Sequence, residues 1–379
     1  MGWYKSSCKI LKIAKVMINK KILSFLTIFI SFILVSSCQS EIDEIPSKER
    51  DERLDHIAVW SANWKESAKF LEEYIGWDLH PIIFGAAGES VGDMELVFIN
   101  GNGLWVELVQ PTSEGPGMEL LDILGDGAIV ELDFQSENYQ KSLDAAIGNG
   151  LQMLGMDGLP LKDRGRIIDG IIDPNADGPL PDEYIAYFPY ELTGGTAVEI
   201  YERNDGDLES ILAQRDRMWE IDKLNQPINQ NQPKTRYLTI LVEDIETVRN
   251  FYKDNILLSE VGSIVDWNGH KLLVIDAKGV YEETINIRLV QPVANDQVMN
   301  VFKQKGSGHV MEIGIEVPSL DIFEQRISLI SKDVKMVDLS GKDHDADNPW
   351  TADDLMKENY FYIPSDLSYG MSLKIFQKR

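Results

Sequence analysis

The residues of this sequence best suited to acid–base or metal chemistry are one histidine and three glutamates. They are His56, Glu107, Glu131 and Glu199. Each lies in a run where residues alternate with a period of two, which indicates a strand with one buried face and one face free for chemistry. All four lie opposite the alternating apolar residues. A lone histidine on a strand is more often structural, so the elements that position these side chains decide what they do.

The first strand, LDHIAVW, is followed by the features of a helix. Asn63 is a suitable N-cap, and Gly76 marks a suitable end. Between them, apolar residues recur at helical spacing: Trp64, Ala68, Leu71 and Ile75. A helix there covers Ile57 and Val59, which leaves His56 facing the other way.

Three more strand-like runs complete this first unit, at residues 81–84, 94–100 and 104–109. A second unit begins near Ala128 with the strand IVELDF. Its pattern predicts Leu132 and Phe134 under a helix, with Glu131 and Asp133 on the opposite face.

The rest of the second unit is predicted as a helix at residues 139–147 and strands at 183–188 and 196–201. Residues 204–235 follow, with a polar helix expected near 208–219 and then the stretch NQPINQNQPKTR. This composition predicts a linker between two domains.

The pattern then recurs. YLTILVEDIETVRNFYKDNI matches HIAVWSANWKESAKFLEEYI at an offset of 181 residues, as NIRLVQP matches WVELVQP and GHVMEIGIEV matches GAIVELDFQS. GMSLKIF matches GTAVEIY at an offset of 175. Three matches at one offset indicate an internal duplication, so we predict four strand–helix–three-strand units.

The motifs LDHIAVW…FLEEYIGWDL, LWVELVQP and TGGTAVEIYE resemble those of the vicinal oxygen chelate superfamily. That superfamily includes glyoxalase I, methylmalonyl-CoA epimerase, extradiol dioxygenases and bleomycin-binding proteins. The resemblance implies an α+β fold of four βαβββ modules paired into two glyoxalase-like domains, at residues 53–203 and 236–379. It also implies a cleft with metal ligands on the first and last strand of each module, although fold predicts activity poorly.

The ligand positions implied by the resemblance are His56, Glu107, Glu131 and Glu199. One imidazole and up to three carboxylates suit Mn²⁺, Mg²⁺, Zn²⁺ or Ni²⁺. The alternative is a metal-free polar cluster in which a neighbouring Glu holds His56. If a metal is bound and the protein is an enzyme, Glu199 or Glu131 would be the general base.

Position 131 departs from the pattern, because metal-binding members usually have His there. Ala128 is a rival alignment, since His309 stands at its repeat position. Strand register favours Glu131, with Val130 and Leu132 expected to pack under the helices.

In the second half, the corresponding positions are Tyr237, Arg288, Glu312 and Lys374. Two cations, a carboxylate and a phenol can satisfy one another, so we expect a salt-bridged core that has lost the metal site. A pocket for an anionic ligand is the alternative.

The resemblance implies a metal-dependent isomerase, epimerase or lyase acting on a small oxygenated molecule. A non-catalytic small-molecule binder is the alternative, and a ring-cleaving dioxygenase is a further one, disfavoured because the site has one His. Trp60, Trp105 and Tyr201 are predicted to face the cleft and bind the ligand in either case.

A calcium loop is a separate possibility at Asp173, Asn175 and Asp177, with a counterpart at Asp343, Asp345 and Asp347. Oxygen-bearing side chains at alternate positions resemble the start of a Ca²⁺ loop. Neither copy has Glu at the twelfth position, and an ion-free turn rich in Asp and Asn is the alternative.

The first 37 residues predict a lipoprotein signal peptide. Six lysines precede an apolar run from Ile22 to Val35, and Val35-Ser36-Ser37-Cys38 resembles a lipobox. Cys38 would be lipidated, and residues 38–52 would form a flexible tether to the outer membrane, at its periplasmic side or the cell surface. An uncleaved anchor is the alternative.

The net negative charge of the chain limits the kinds of partner that it can bind. The formal net charge is −26, and removal of the six signal lysines leaves −32. Such a charge repels nucleic acid and anionic membrane surfaces, so we expect neither as a partner apart from the lipid anchor.

Overall fold

The fold was analysed in a computed structural model. It describes residues 52–86, 93–136, 138–155, 158–161, 171–172, 184–202, 232–256, 258–279, 283–331, 334–344 and 350–379. These residues belong to one compact unit. The predicted signal peptide, the predicted tether up to residue 51, most of the predicted linker and the first of the two possible calcium loops lie outside the described residues. No helix in the described part is long and apolar enough to cross a bilayer.

The described residues of the first half form eight strands and three helices in chain order. They are β1 (Arg53–Trp60), α1 (Trp64–Phe70), β2 (Asp78–Ala86), β3 (Met94–Asn100), β4 (Trp105–Pro111), α2 (Pro116–Leu124), β5 (Ile129–Ser136), α3 (Tyr139–Gly148), β6 (Ile171–Ile172), β7 (Ile185–Tyr187) and β8 (Ala197–Glu202).

The second half repeats this order. Its elements are β9 (Lys234–Leu241), α4 (Ile245–Phe251), β10 (Ser259–Trp267), β11 (His270–Lys278), β12 (Thr284–Gln291), α5 (Gln297–Lys305), β13 (Val310–Glu316), α6 (Leu320–Ile330), β14 (Thr351–Asp353), β15 (Glu358–Tyr362) and β16 (Leu373–Lys378). The first strand begins at Lys234, two residues before the predicted start of the second domain.

Each half forms one mixed eight-stranded sheet. The strand orders are β6-β2-β3-β4-β1-β5-β8-β7 and β10-β11-β12-β9-β13-β16-β15-β14. In the first sheet, β1 pairs parallel to β4 and antiparallel to β5, and β5 pairs parallel to β8. The central strands of the second sheet pair in the same way. The predicted α+β fold of paired modules is therefore confirmed.

The helix after β1 begins and ends where the sequence indicated. The Asn63 side chain accepts a hydrogen bond from the Glu66 amide, which caps α1. The helix continues as a π-helical turn over Leu71–Ile75, and Gly76 then adopts a left-handed φ of +86°. Its apolar face packs with Ile57 and other residues of β1 in the main core.

Two close glycine contacts join the halves. A Cβ on Gly127 would lie 2.2 Å from Gly370 C, and a Cβ on Gly308 would lie 2.2 Å from Gly195 C. Gly127 and Gly308 occupy equivalent positions of the repeat, so the same contact is made twice. A single apolar core also contains residues of both halves, for example Phe188 and Phe251 with ring centroids 5.0 Å apart. Tests of function should therefore use the whole chain.

One packing prediction for β5 is wrong. A β-bulge places Ala58 opposite Glu131 but Val59 opposite Ile129, so Val130 is skipped in the ladder. Val130 therefore packs with Ala58 and Trp60 on the face away from the helices, while Leu132 packs in the main core as expected.

Candidate metal centre

Adjacent strands β4, β1, β5 and β8 carry the candidate site. His56 on β1 lies opposite Asp133 on β5, and Asp133 lies opposite Glu199 on β8. Ala58 separates Glu107 on β4 from Glu131 on β5 in the next row. Residues opposite one another on neighbouring strands share a face, so the register brings one imidazole and four carboxylates together.

The distances within this group are those of a compact cluster. His56 Nε2 lies 3.3 Å from Asp133 Oδ2 and 3.8 Å from Glu107 Oε2. Carboxylate oxygens of Glu131, Asp133 and Glu199 lie within 4.8 Å of one another, which is close enough for one ion to contact all three. The four predicted residues thus lie together, with Asp133 as an additional member.

His56 is held in a defined orientation by its surroundings. Its Nδ1 lies 3.2 Å from Asp55 Oδ2, which directs Nε2 towards the carboxylates. Its ring packs against Phe98 and Tyr201, with centroids 5.4 Å and 5.7 Å away. A second carboxylate that fixes the imidazole is the usual support of a metal-binding histidine. Asp55 and Asp133 thus lie closer to the imidazole than Glu107, the nearby Glu at 3.8 Å.

The charges around His56 favour its protonated form when no metal is bound. Burial opposes ionisation of His56, but Asp133, Glu107 and the bond to Asp55 raise its pKa well above the usual value. For Asp55, burial acts against ionisation, and the hydrogen bond and charge of His56, with a bond from Tyr201, lower its pKa.

Asp133 is the least satisfied residue of the cluster. Its side chain is fully buried, and neither carboxylate oxygen has a hydrogen-bond partner. Burial raises its pKa well above the usual value; His56 acts in the opposite direction, and the neighbouring carboxylates add to the rise. A buried carboxylate without hydrogen bonds is costly, and a bound cation is one way to satisfy it. The residues present therefore fit a divalent cation.

Two other carboxylates also have raised pKa values. Burial and the charge of Glu107 raise the pKa of Glu131 to about 7. Burial and Glu131 raise the pKa of Glu199, against the effect of a hydrogen bond from Tyr187. Burial and the same carboxylates raise the pKa of the Tyr187 phenol well above its usual value, so it remains a donor. Such a cluster holds protons or a cation at neutral pH.

The equivalent positions of the second half form a different cluster. Arg288 Cζ lies 3.2 Å from the centroid of the Tyr237 ring, and Arg288 Nη2 donates to Glu358 Oε1 over 2.7 Å. Lys374 Nζ lies 3.5 Å from Glu358 Oε2 and 3.9 Å from Glu312 Oε1. Two cations thus face two carboxylates, as in a salt-bridged core. Glu358 had not been predicted as a member.

Gly314 occupies the position that corresponds to Asp133. A Cβ on Gly314 would lie 2.2 Å from Tyr237 Cζ, so the Tyr237 ring fills the space of the missing side chain. The second half therefore lacks both the imidazole and the additional carboxylate of the first, and it gains Arg288 and Lys374.

The three aromatic residues predicted to bind a ligand have different surroundings. The Tyr201 ring packs on His56, and the Tyr201 side chain donates a hydrogen bond to Asp55. Trp105 is half-buried and lies opposite His56. Trp60 is buried in a small apolar cluster on the same sheet face.

The remaining predictions lie away from this cluster or outside the described residues. Ala128 precedes β5, and its carbonyl accepts the Trp60 amide over 2.9 Å. Burial and Lys305 lower the pKa of His309 to about 4, as for a packed histidine. In the second possible calcium loop, Asp343 pairs with Lys335 at 3.4 Å, and residues 345–349 are not described.

Comparisons with known proteins bear on the fold. No protein-family model and no curated protein matches the chain. Among solved structures, a triple mutant of 4-hydroxymandelate synthase from Streptomyces coelicolor is similar, with a TM-score of 0.54 and 10% identity over 87% of this chain and 93% of that one. This likeness extends over both halves and supports the tandem fold.

Two weaker similarities add no argument. A fusion of a xylose isomerase-like TIM barrel with 4-hydroxyphenylpyruvate dioxygenase has a TM-score of 0.47 and 11% identity, over 86% of this chain and 48% of that one. A hypothetical protein from Bacillus halodurans has a TM-score of 0.31 and 18% identity, over 39% of this chain and 95% of that one.

Proposed function

We propose that the first half binds a divalent cation and uses it to act on a small oxygenated molecule. The main support is the charge balance of the cluster. Four carboxylates lie around one imidazole, and the pKa values of Glu131, Asp133 and Glu199 remain raised although His56 acts to lower all three. Without a cation these groups must retain protons.

The carboxylates of Glu131, Asp133 and Glu199 would hold the cation, with His56 and Glu107 beside them. Oxygen-rich sites of this kind suit Mg²⁺ or Mn²⁺, and the imidazole also admits Zn²⁺ or Ni²⁺. A bound divalent cation would stabilise negative charge that develops on nearby oxygens of the substrate.

The chain itself supplies a group able to move a proton. A general acid–base is most effective with a pKa near the working pH. Glu131 has a pKa of about 7, whereas burial and Glu131 raise the pKa of Glu199 well above its usual value, and Tyr187 donates a hydrogen bond to each of them. We therefore assign proton transfer to Glu131 rather than Glu199. This assignment corresponds to an isomerase, epimerase or lyase.

The test combines metal binding with proton exchange. Whole protein would be titrated with Mn²⁺ and Mg²⁺, and deuterium uptake at C2 of small 2-hydroxy acids and at C3 of small 2-oxo acids would be followed by NMR. Asp133→Asn should weaken metal binding, and Glu131→Gln should abolish exchange even at metal concentrations that saturate the variant. Glu312→Gln, the equivalent change in the second half, should affect neither.

Two results would change this view. Absence of stoichiometric metal in the wild-type protein would refute the proposal. Tight metal binding without exchange in any tested acid would instead favour the non-catalytic binder.

The cellular location is a separate proposal. The basic segment, the apolar run and the sequence ending at Cys38 support a lipid-anchored protein of the outer membrane.

A further inference from the structure

Asp55 reaches His56 because strand β1 contains a β-bulge at this point. Leu54 pairs with Phe134 and His56 pairs with Asp133, so Asp55 is skipped in the ladder. Neighbouring residues of a regular strand face opposite sides of the sheet, and a bulge redirects the extra side chain. The Asp55 carboxylate therefore contacts the imidazole of the adjacent residue, with Oδ2 3.2 Å from His56 Nδ1.

A tyrosine on β8 also contacts Asp55. The Tyr201 side chain donates a hydrogen bond to the Asp55 carboxylate, and its ring packs on His56 with the centroids 5.7 Å apart. Arg53 Nε lies farther away, 4.0 Å from Asp55 Oδ1, and donates to Gln135 over 3.0 Å. Tyr201, Asp55 and His56 thus form a hydrogen-bonded triad that ends at the candidate metal centre.

The triad fixes which nitrogen of His56 faces the other carboxylates. An ionised carboxylate can only accept hydrogen bonds, so Nδ1 must carry the proton that bonds to Asp55. In the neutral imidazole, Nε2 then has the free lone pair, and it lies 3.3 Å from Asp133 Oδ2. Nε2 is therefore the nitrogen available to a cation held by the carboxylates.

The second half keeps the bulge but not the carboxylate. Arg236 corresponds to Asp55 and is skipped in the ladder between β9 and β13. Its guanidinium donates to Glu316 Oε2 over 2.6 Å and to Glu283 Oε2 over 2.5 Å. The bulge is thus common to both halves, whereas the carboxylate on it occurs in the half that has the histidine.

The second half also keeps the ring of Tyr201 but not its hydroxyl. Phe376 corresponds to Tyr201 and packs on Tyr237 with the ring centroids 5.2 Å apart. Packing on the neighbouring ring therefore needs only a phenyl group. The Tyr201 hydroxyl and the Asp55 carboxylate occur together in the half that has the imidazole, which indicates that they act on it.

We propose that Tyr201 and Asp55 are positioning residues that present His56 Nε2 to the cation and so determine which ions the site prefers. This inference rests on the proposed function, because it requires a cation at the candidate metal centre. Ni²⁺ and Zn²⁺ gain from an imidazole ligand, whereas Mg²⁺ is bound mainly by oxygen atoms. The triad therefore raises the affinity for Ni²⁺ far more than the affinity for Mg²⁺.

The experiment measures the ratio of the Ni²⁺ and Mg²⁺ affinities of the whole protein by calorimetry, with Mg²⁺ in competition with Mn²⁺. Asp55→Asn should lower this ratio at least about tenfold, the effect expected when a metal-binding histidine loses its partner. Tyr201→Phe should lower it about three- to tenfold, as for one hydrogen bond. In an Asp55→Ala background, Tyr201→Phe should lower it no further, because the hydroxyl acts through Asp55.

Copper provides a readout that a loss of packing would not change. Cu²⁺ binds imidazole strongly, and pulsed EPR spectra of a copper-bound imidazole contain a signal from its remote nitrogen. That nitrogen is Nδ1 when Nε2 is the ligand, and its quadrupole splitting depends on the hydrogen bond that the N–H donates. The splitting should change in Asp55→Asn, and His56→Ala should lack the signal.

A phenol of the same cluster provides the matched control. Tyr187 donates a hydrogen bond to Glu131 and Glu199. Tyr187→Phe should therefore weaken Ni²⁺ and Mg²⁺ binding to a similar extent. The affinity ratio and the copper splitting should both stay as in the wild type.

The outcomes distinguish this inference from the proposed function. A ratio that survives Asp55→Asn, or a copper splitting that does not change, overturns the role of the triad while metal binding still stands. A ratio that survives Tyr201→Phe, or that falls equally with Tyr187→Phe, overturns the role of Tyr201. Failure of all these ions to bind overturns the proposed function and the ion preference with it.

Discussion

Binding of a divalent cation to the first-half cluster should release protons. Cations bind deprotonated ligands, and the metal-free cluster retains protons because Glu131, Asp133 and Glu199 have raised pKa values. His56, also with a raised pKa, must lose its extra proton if it becomes a ligand. Proton release is thus a direct consequence of the geometry.

Glu131 sets a lower limit on the effect. With a pKa of about 7, it is about 90% protonated at pH 6, about 50% at pH 7 and about 10% at pH 8. The apparent affinity for Mn²⁺ should therefore rise about tenfold between pH 6 and pH 8 through this residue alone. Asp133, Glu199 and His56 would steepen the dependence.

Calorimetric titration of the whole protein with Mn²⁺ measures this release, in pairs of buffers with different ionisation enthalpies. Glu131→Gln should weaken binding at pH 8 and reduce the pH dependence. Glu312→Gln should leave both unchanged, because Glu312 belongs to the second-half cluster with Lys374 and Arg288 and not to the candidate metal centre. Tight binding with equal affinity at pH 6 and pH 8 and no buffer-dependent heat would refute the reasoning.

Other predictions concern stability and location. The metal-free protein should lose stability as pH rises from about 5 to 8. In the folded state, the carboxylates and the His with raised pKa values keep protons that the unfolded chain releases. A thermal unfolding midpoint that rises with pH would contradict this. Lys374→Met should cost about 3–5 kcal/mol in urea unfolding by leaving buried carboxylates uncompensated, and an unchanged midpoint would argue against the salt-bridged core. Gly314→Ala should cost about 3 kcal/mol through its clash with Tyr237, unlike Gly148→Ala, whose Cβ meets nothing within 4 Å. Cys38→Ser should abolish incorporation of labelled fatty acid, and a wild-type protein that takes up no label would show the lipoprotein prediction to be wrong.

The sequence predicted the fold because its signals are local. Period-two alternation, the cap at Asn63 and the stop at Gly76 depend on near neighbours, and the structure confirms each. The repeat offset of 181 residues then showed that the two modules of the first half recur in the second half, which makes four modules. The same alternation placed Glu131 and Asp133 on one face, so a signal for Asp133 was present, although the resemblance provided no role for it.

The β-bulge at Val130 could not be predicted from local sequence patterns. It depends on how β5 meets β1 across the sheet, and an alternating pattern contains no record of a skipped residue. The partners Asp55 and Glu358 were missed for a similar reason, because their contacts depend on side-chain direction and on strands distant in the chain.

By itself, the sequence determined the modules, their duplication and the polar face of each strand, since these follow from periodicities of a few residues. Only the tertiary structure decided which of the carboxylates come together and which remain unsatisfied. That decision depends on strand register and burial, which set the distance between His56 and Asp133 and remove water from Asp133. The same register placed Arg288 and Lys374 against Glu358 in the second half, where the charges are balanced within the chain.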